Sequence, residues 1–112
     1  MNNYLISESV DLLKVLGDTT RLSILQILKN NDTSAAELQD ELDKSQSTIS
    51  QHLKVLKDSN LIEAEKNGRV NYYKVKNEQI FKILARIKSF IIKNKKEKLD
   101  ILNDLHINDT LF

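Results

Sequence analysis

The side chains in this 112-residue chain with the most chemical potential lie between Ser45 and Asp58. Wound as a helix, at about 100° per residue, this segment places Ile49, Leu53 and Leu56 on one narrow face. The opposite face carries Ser47, Ser50, Gln51, Lys54 and Asp58, with Thr48 and His52 at its edges. Gln can pair bidentately with an adenine edge, Ser and Thr suit base edges or phosphates, and Lys reaches guanine or phosphate. An ordinary solvated helix would look similar, so the neighbouring segments must decide. Catalysis has no comparable group of residues. There is no phosphate-cradling glycine loop, no Cys/His pair and no converging acid pair, which excludes an enzyme. With no Cys, disulfides, thiolate metal sites and thiol redox chemistry are all impossible.

The elements that must position these residues follow from periodicity and capping. Residues 4–16 place Leu5, Leu12 and Leu16 on one side of a helix, with Ile6 and Leu13 beside them. Gly17 is expected to stop that helix in a left-handed conformation. Asp18 caps a second helix, whose buried face holds Leu22, Ile24, Leu25, Ile27 and Leu28. Asn30-Asn31-Asp32 makes a turn. Ser34-Ala35-Ala36-Glu37 is a capping box that opens a short third helix reaching Leu42. Asp43-Lys44 turns the chain, and Ser45 or Ser47 caps the fourth helix, which Asn60 ends.

The period then changes. Residues 61–66 and 69–75 are strand-like runs around Asn67-Gly68, a strong signal for a type I′ hairpin turn. A two-residue loop there sets Lys66 opposite Arg69, and a phosphate between these like charges would relieve their repulsion. Asn67 and Arg69 at the tip could follow a nucleic-acid backbone. From Glu78 a long helix presents Ile80, Ile83, Leu84, Ile87, Phe90 and Ile91 in one stripe, with Phe81, Ala85 and Ile92 off it. Two apolar faces are more than one small core can bury, which implies a partner. Leu99, Leu102 and Leu105 suggest a further turn or two, followed by a tail.

The order is thus four helices, a hairpin and a helix (α-α-α-α-β-β-α). That is a mainly α fold with a small β-hairpin, a winged helix-turn-helix, with helices three and four as the helix-turn-helix unit. Residues 1–98 form the working domain and 99–112 an extension. The net charge of +1 conceals a division. Residues 1–43 carry three basic and eight acidic side chains, whereas residues 44–98 carry fourteen and five. The basic middle points to an anionic partner. No apolar run is long enough to span a bilayer, and no basic-then-apolar leader opens the chain, so a cytoplasmic protein is expected.

Three ordered blocks, "LKVLGDTTRLSILQIL", "SQSTISQHLKVLKDSNLI" and "NGRVNYYKV", resemble the ArsR family of winged-helix repressors, known for arsenic and zinc sensors. Thr19 stands where that family usually has Pro. The resemblance implies a homodimer built through the outer helices, with Leu5, Leu12, Leu16, Ile80, Ile87, Phe90 and Ile91 at the interface. It implies DNA contact through Ser45, Gln46, Ser47, Thr48, Ser50, Gln51, His52 and Lys54, and through Lys66, Asn67 and Arg69 of the hairpin. The family's Cys-x-Cys metal site falls near Ser34 and Ala36. Its zinc site falls near Asn77, Gln79, Phe90 and Lys93. Neither set suits zinc, which wants converging N, S or carboxylate ligands. No metal or other cofactor is therefore expected. The expected function is sequence-specific binding of double-stranded DNA at an inverted repeat, as a repressor. The alternative is a winged-helix interaction or architectural module with no specific operator.

Overall fold

The computed structural model describes residues 2–96. It contains helix α1 (Asn3–Leu16), α2 (Thr19–Asn30), strand β1 (Thr33–Ser34), α3 (Ala35–Leu42), α4 (Gln46–Asp58), β2 (Ile62–Asn67), β3 (Val70–Val75) and α5 (Gln79–Asn94). The expected extension at 99–112 lies outside the described residues. Among the described residues, no helix is long and apolar enough to cross a membrane.

Side-chain caps fix where four of the helices begin. Asn2 Oδ1 accepts from Leu5 N at 2.8 Å, Asp18 Oδ1 from Arg21 N at 3.0 Å, and Ser45 Oγ from Thr48 N at 3.1 Å. At α3 the box is reciprocal: Ser34 Oγ accepts from Glu37 N, and Glu37 Oε1 accepts from Ser34 N, both at 3.2 Å. Each cap contributes about 1 kcal/mol by occupying a helix-end N–H that has no intrahelical partner. Thr19 is the first residue of α2, a position where Pro also fits because its missing N–H would have no partner there.

Helix ends divide by residue type. Asp43 (φ 53°) and Asn60 (φ 61°) turn the chain in the left-handed region, which Asp and Asn tolerate better than other residues with a Cβ. Gly17 departs from expectation: its φ is −81°, so handedness is not what requires glycine there. A Cβ at Gly17 would stand 3.1 Å from the Leu13 carbonyl oxygen, and close approach is the constraint.

The sheet has three antiparallel strands in the order β1-β3-β2. Sequence reading omits β1, which pairs Thr33 with Tyr73 and Ser34 with Tyr72, because two residues are too short to show alternation. The hairpin also corrects an expectation. Lys66 pairs with Asn71 and Asn67 with Val70, so the central turn residues are Gly68 and Arg69, not Asn67 and Gly68. Only Gly68 has positive φ (68°), the pattern of a type II′ turn, which places Gly first. Lys66 and Arg69 do not face each other across the strands, and the like-charge repulsion assigned to them is absent.

Residues up to Lys76 form one compact unit, and a second begins at Asn77. The core of the first holds Leu16, Ile24, Leu25, Leu28, Leu38, Ile49, Leu53, Leu56, Leu61 and Ile62. In α5, Ile80 and Leu84 are buried, while Ile83, Ile87, Phe90 and Ile91 are exposed. Leu16 and Ile80 therefore offer no open surface to a partner, contrary to expectation.

Candidate nucleic-acid interface

Helix α4 is seated by Ile49, Leu53 and Leu56, whose buried side chains fix its rotation about its own axis. That rotation turns Gln46, Ser47, Ser50, Gln51 and Lys54 outward, all exposed, with Thr48 at the edge. The first turn is built tightly. Ser45 Oγ donates to Thr48 Oγ1 at 2.9 Å while accepting from Thr48 N, so both hydroxyls serve the cap before they serve a ligand. The N-terminus of α4 also concentrates positive dipole, which favours an anion such as phosphate.

Further along the face, Lys54 Nζ and Asp58 Oδ2 lie 3.0 Å apart, one turn from each other, and both are exposed. Such pairs contribute little to stability in water. Here the pair has another consequence: it neutralises a carboxylate that would otherwise repel phosphate. Beside it, Ser50, Leu53, Lys54, Lys57, Asp58 and Tyr73 line a shallow groove between α4 and β3.

His52 does not belong to the outward face. Its side chain is only 17 % exposed and turns toward α2. Its Nδ1 lies 3.1 Å from Arg21 Nη1, and its Nε2 lies 3.9 Å from Asp18 Oδ1. His52, expected to contact DNA, thus has both ring nitrogens facing protein groups. Arg21 also donates from Nε to the Val15 carbonyl at 2.6 Å and from Nη2 to the Lys14 carbonyl at 3.0 Å. The Asp18 carboxyl is held below its ordinary pKa, chiefly by the hydrogen bond from Arg21 N. Partial burial opposes this, and the nearby charge of Arg21 reinforces it, joined by that of His52 when its ring is protonated.

Sequence reading missed the role of Arg21, although a signal exists. A cation in the first turn of a helix opposes the helix dipole, and it is tolerated best when held by acceptors elsewhere.

In the hairpin, Lys66, Asn67, Gly68 and Arg69 are all exposed, and Arg69 stands at the turn itself. Behind them Lys74 Nζ lies 2.8 Å from Glu65 Oε2 and 3.7 Å from Glu63 Oε1. This contact lowers the Glu65 carboxyl pKa and raises that of Lys74. Lys74 thereby offsets part of the charge of the two hairpin acids, and Lys66 and Arg69 give its outer half a net positive charge.

The positions where the family resemblance sets metal ligands have other occupations. Ser34 is buried in the α3 capping box, and Asn77 Oδ1 accepts from Gln79 N at 3.0 Å. Among the described residues, no three His, Cys, Asp or Glu side chains converge.

Residues 18–64 match the family described as "Bacterial regulatory protein, arsR family". The chain is 36 % identical over 81 residues to an uncharacterised HTH-type transcriptional regulator of Methanocaldococcus jannaschii, covering 71 % of this chain and 91 % of that one. It is 33 % identical over 85 residues to the arsenical resistance operon repressor of Bacillus subtilis, covering 75 % and 81 %. In fold it is similar to the homodimeric winged helix-turn-helix DNA-binding domain of a possible ArsR-family regulator from Mycobacterium bovis. That similarity has a TM-score of 0.70 at 21 % identity, over 85 % of this chain and 89 % of the other. Matched in sequence across α2 to β2 and in fold across most of its length, the chain belongs to the arsR family of DNA-binding transcriptional regulators.

Proposed function

We propose that this regulator is a homodimeric repressor that reads an inverted-repeat operator with α4 and grips the adjacent backbone with its hairpin. The observation that carries this reading is the outward face of α4. Gln46, Ser47, Ser50 and Gln51 are exposed on a helix whose rotation is set by three buried residues. Gln51, at mid-helix, reaches a base edge, with Ser47 and Ser50 beside it. Ser45, Gln46, Thr48 and Lys54 contact phosphates or flanking bases. Lys66, Asn67 and Arg69 follow the backbone.

Dimerisation accounts for the apolar surface of both outer helices. Helix α1 exposes Tyr4, Leu5, Ile6, Val10 and Leu13, and α5 exposes Ile83, Ile87, Phe90 and Ile91. Phe90 alone is 68 % exposed. The half-buried Leu12 joins the α1 set. A lone small domain seldom leaves so much apolar side chain in water. Charge agrees with mutual pairing, since α1 carries Glu8 and Asp11 against the single Lys14, while α5 carries Lys82, Arg86, Lys88 and Lys93 without an acid. The M. bovis domain of similar fold is described as homodimeric, and the B. subtilis relative is named a repressor. A two-fold protein favours half-sites about one helical turn apart, roughly 34–36 Å. Residues 1–98 thus act as one DNA-binding and dimerisation domain in the cytoplasm, with no metal as switch.

Binding to the protein's own upstream DNA and to a scrambled duplex, measured across a salt series, tests this reading. A preference for the upstream DNA and a steep loss with salt are expected. Equal affinity for both duplexes would overturn it in favour of an architectural role. A tight zinc site found by calorimetry and coupled to DNA release would overturn the metal-independent part.

A further inference from the structure

The Arg21 guanidinium touches both the end of α1 and the middle of α4. Two of its nitrogens bond the Lys14 and Val15 carbonyls, and the third meets His52 Nδ1. These carbonyls belong to the last turn of α1, where no intrahelical N–H remains to take them. Arginine can only donate, so His52 Nδ1 accepts and the ring proton resides on Nε2, facing Asp18. His52 directly follows Gln51, the residue assigned to base reading.

We infer that Arg21 is a positioning residue for DNA recognition, transmitting the placement of α1 to α4 through His52. The inference rests on the reading of α4 as the base-reading helix. The chemistry favours a relay over simple packing. A guanidinium has a rigid fork, and when two of its arms are fixed on α1 the third can be met in only one place. The apolar contacts of Ile49, Leu53 and Leu56 seat α4, and the directional hydrogen bond at His52 adds a further constraint on its position along its axis. Base edges discriminate through hydrogen bonds only a few tenths of an ångström broad in their preferred lengths, so a small axial shift costs specificity before it costs folding. Through this link, whatever seats α1, the second copy of the chain above all, also sets α4 for its site.

A double-mutant cycle on Arg21→Ala and His52→Ala in the full chain tests the inference, with affinity for operator and scrambled duplexes as the readout. Each single variant is expected to lose about tenfold at the operator and little on scrambled DNA, and the double variant no more than either alone, the coupling typical of side chains that touch. His52→Asn, which keeps an acceptor near the place of Nδ1, should restore most of the preference. Arg21→Lys, which keeps the charge but loses the fork, should not. If Arg21→Ala fails to fold, the cycle runs on Arg21→Lys, and circular dichroism checks that helix content is unchanged in every variant used. Additive losses, or a failure of His52→Asn to rescue, would overturn the relay. Gln51→Ala is the control. If it leaves the operator preference intact, the reading of α4 itself is at fault, whatever the cycle returns.

Discussion

Helix α4 and the β2–β3 hairpin both present polar side chains to solvent, yet they are held in different ways. Helix α4 is fixed by three buried aliphatic residues, an N-cap and the His52–Arg21 hydrogen bond. The outer half of the hairpin is held by strand pairing and the exposed Lys74–Glu65 contact, with residues 64–70 all exposed. The difference matches what each region contacts in the proposed complex. Base edges demand placement within a hydrogen bond's narrow range, whereas phosphates recur along the duplex and accept a mobile cation. On the proposed reading, the more firmly held region is the one that would read sequence, and the less firmly held one needs only charge.

The largest test of that contrast is in the core. Leu53→Ala removes a side chain 2 % exposed from beneath the reading face and should destabilise the fold by about 2–5 kcal/mol. Val70→Ala, at a hairpin position 42 % exposed, should stay within about 0.5 kcal/mol. Denaturant melts of the two variants provide the comparison. Similar losses would mean that the hairpin is as firmly built as α4.

At the interface itself the two regions should fail differently. Gln51→Ala should cost roughly 1–3 kcal/mol at the preferred site and relax the choice at one base pair. Arg69→Ala should weaken all sequences alike and lower the salt slope by about one unit for each phosphate it no longer neutralises. Titration of both variants against specific and scrambled duplexes over several salt concentrations separates them. A Gln51→Ala effect that is equal on both duplexes would remove base reading from that residue. An Arg69→Ala variant unchanged at every salt would remove the wing from DNA.

Local chemistry made much of this arrangement legible in the sequence. The caps at Asp18, Ser34 and Ser45 and the buried triplet Ile49, Leu53 and Leu56 depend on neighbours within a turn or two, and they stand where spacing puts them. What spacing could not reveal depends on partners far along the chain. Strand β1 exists because β3 offers it an edge forty residues away, from Thr33 to Tyr73. The hairpin register is decided by strand pairing, which overrides the local preference of Asn67-Gly68 by one residue. His52 looks like a member of the polar face until Arg21, thirty-one residues earlier, claims its ring nitrogen. Of the residues expected at a dimer face, Leu5, Ile87, Phe90 and Ile91 are exposed whereas Leu16 and Ile80 are buried.

The smallest expected effect sharpens the same contrast by asking how much of α4's setting is electrostatic. Asp18 caps α2 and stands beside the His52–Arg21 contact, with its carboxyl pKa depressed below 3.8 chiefly by the Arg21 N–H. A carboxyl whose folded pKa lies below its unfolded value binds fewer protons when folded. Its contribution to stability is therefore complete above the unfolded pKa and is lost as pH falls through the folded one. Asp18→Asn keeps a competent cap but removes the charge, so near neutral pH it should cost only a few tenths of a kcal/mol. Because Asp18 is partly exposed, solvent screens its charge further. The stability curves of wild type and Asp18→Asn should converge as pH drops below about 3.8, and operator preference near neutrality should be nearly unchanged. A gap that persisted undiminished in acid would mean that the carboxyl acts by shape and hydrogen bonding alone. A large loss of operator preference at neutral pH would mean that its charge, and not only the Arg21 fork, holds His52 in place.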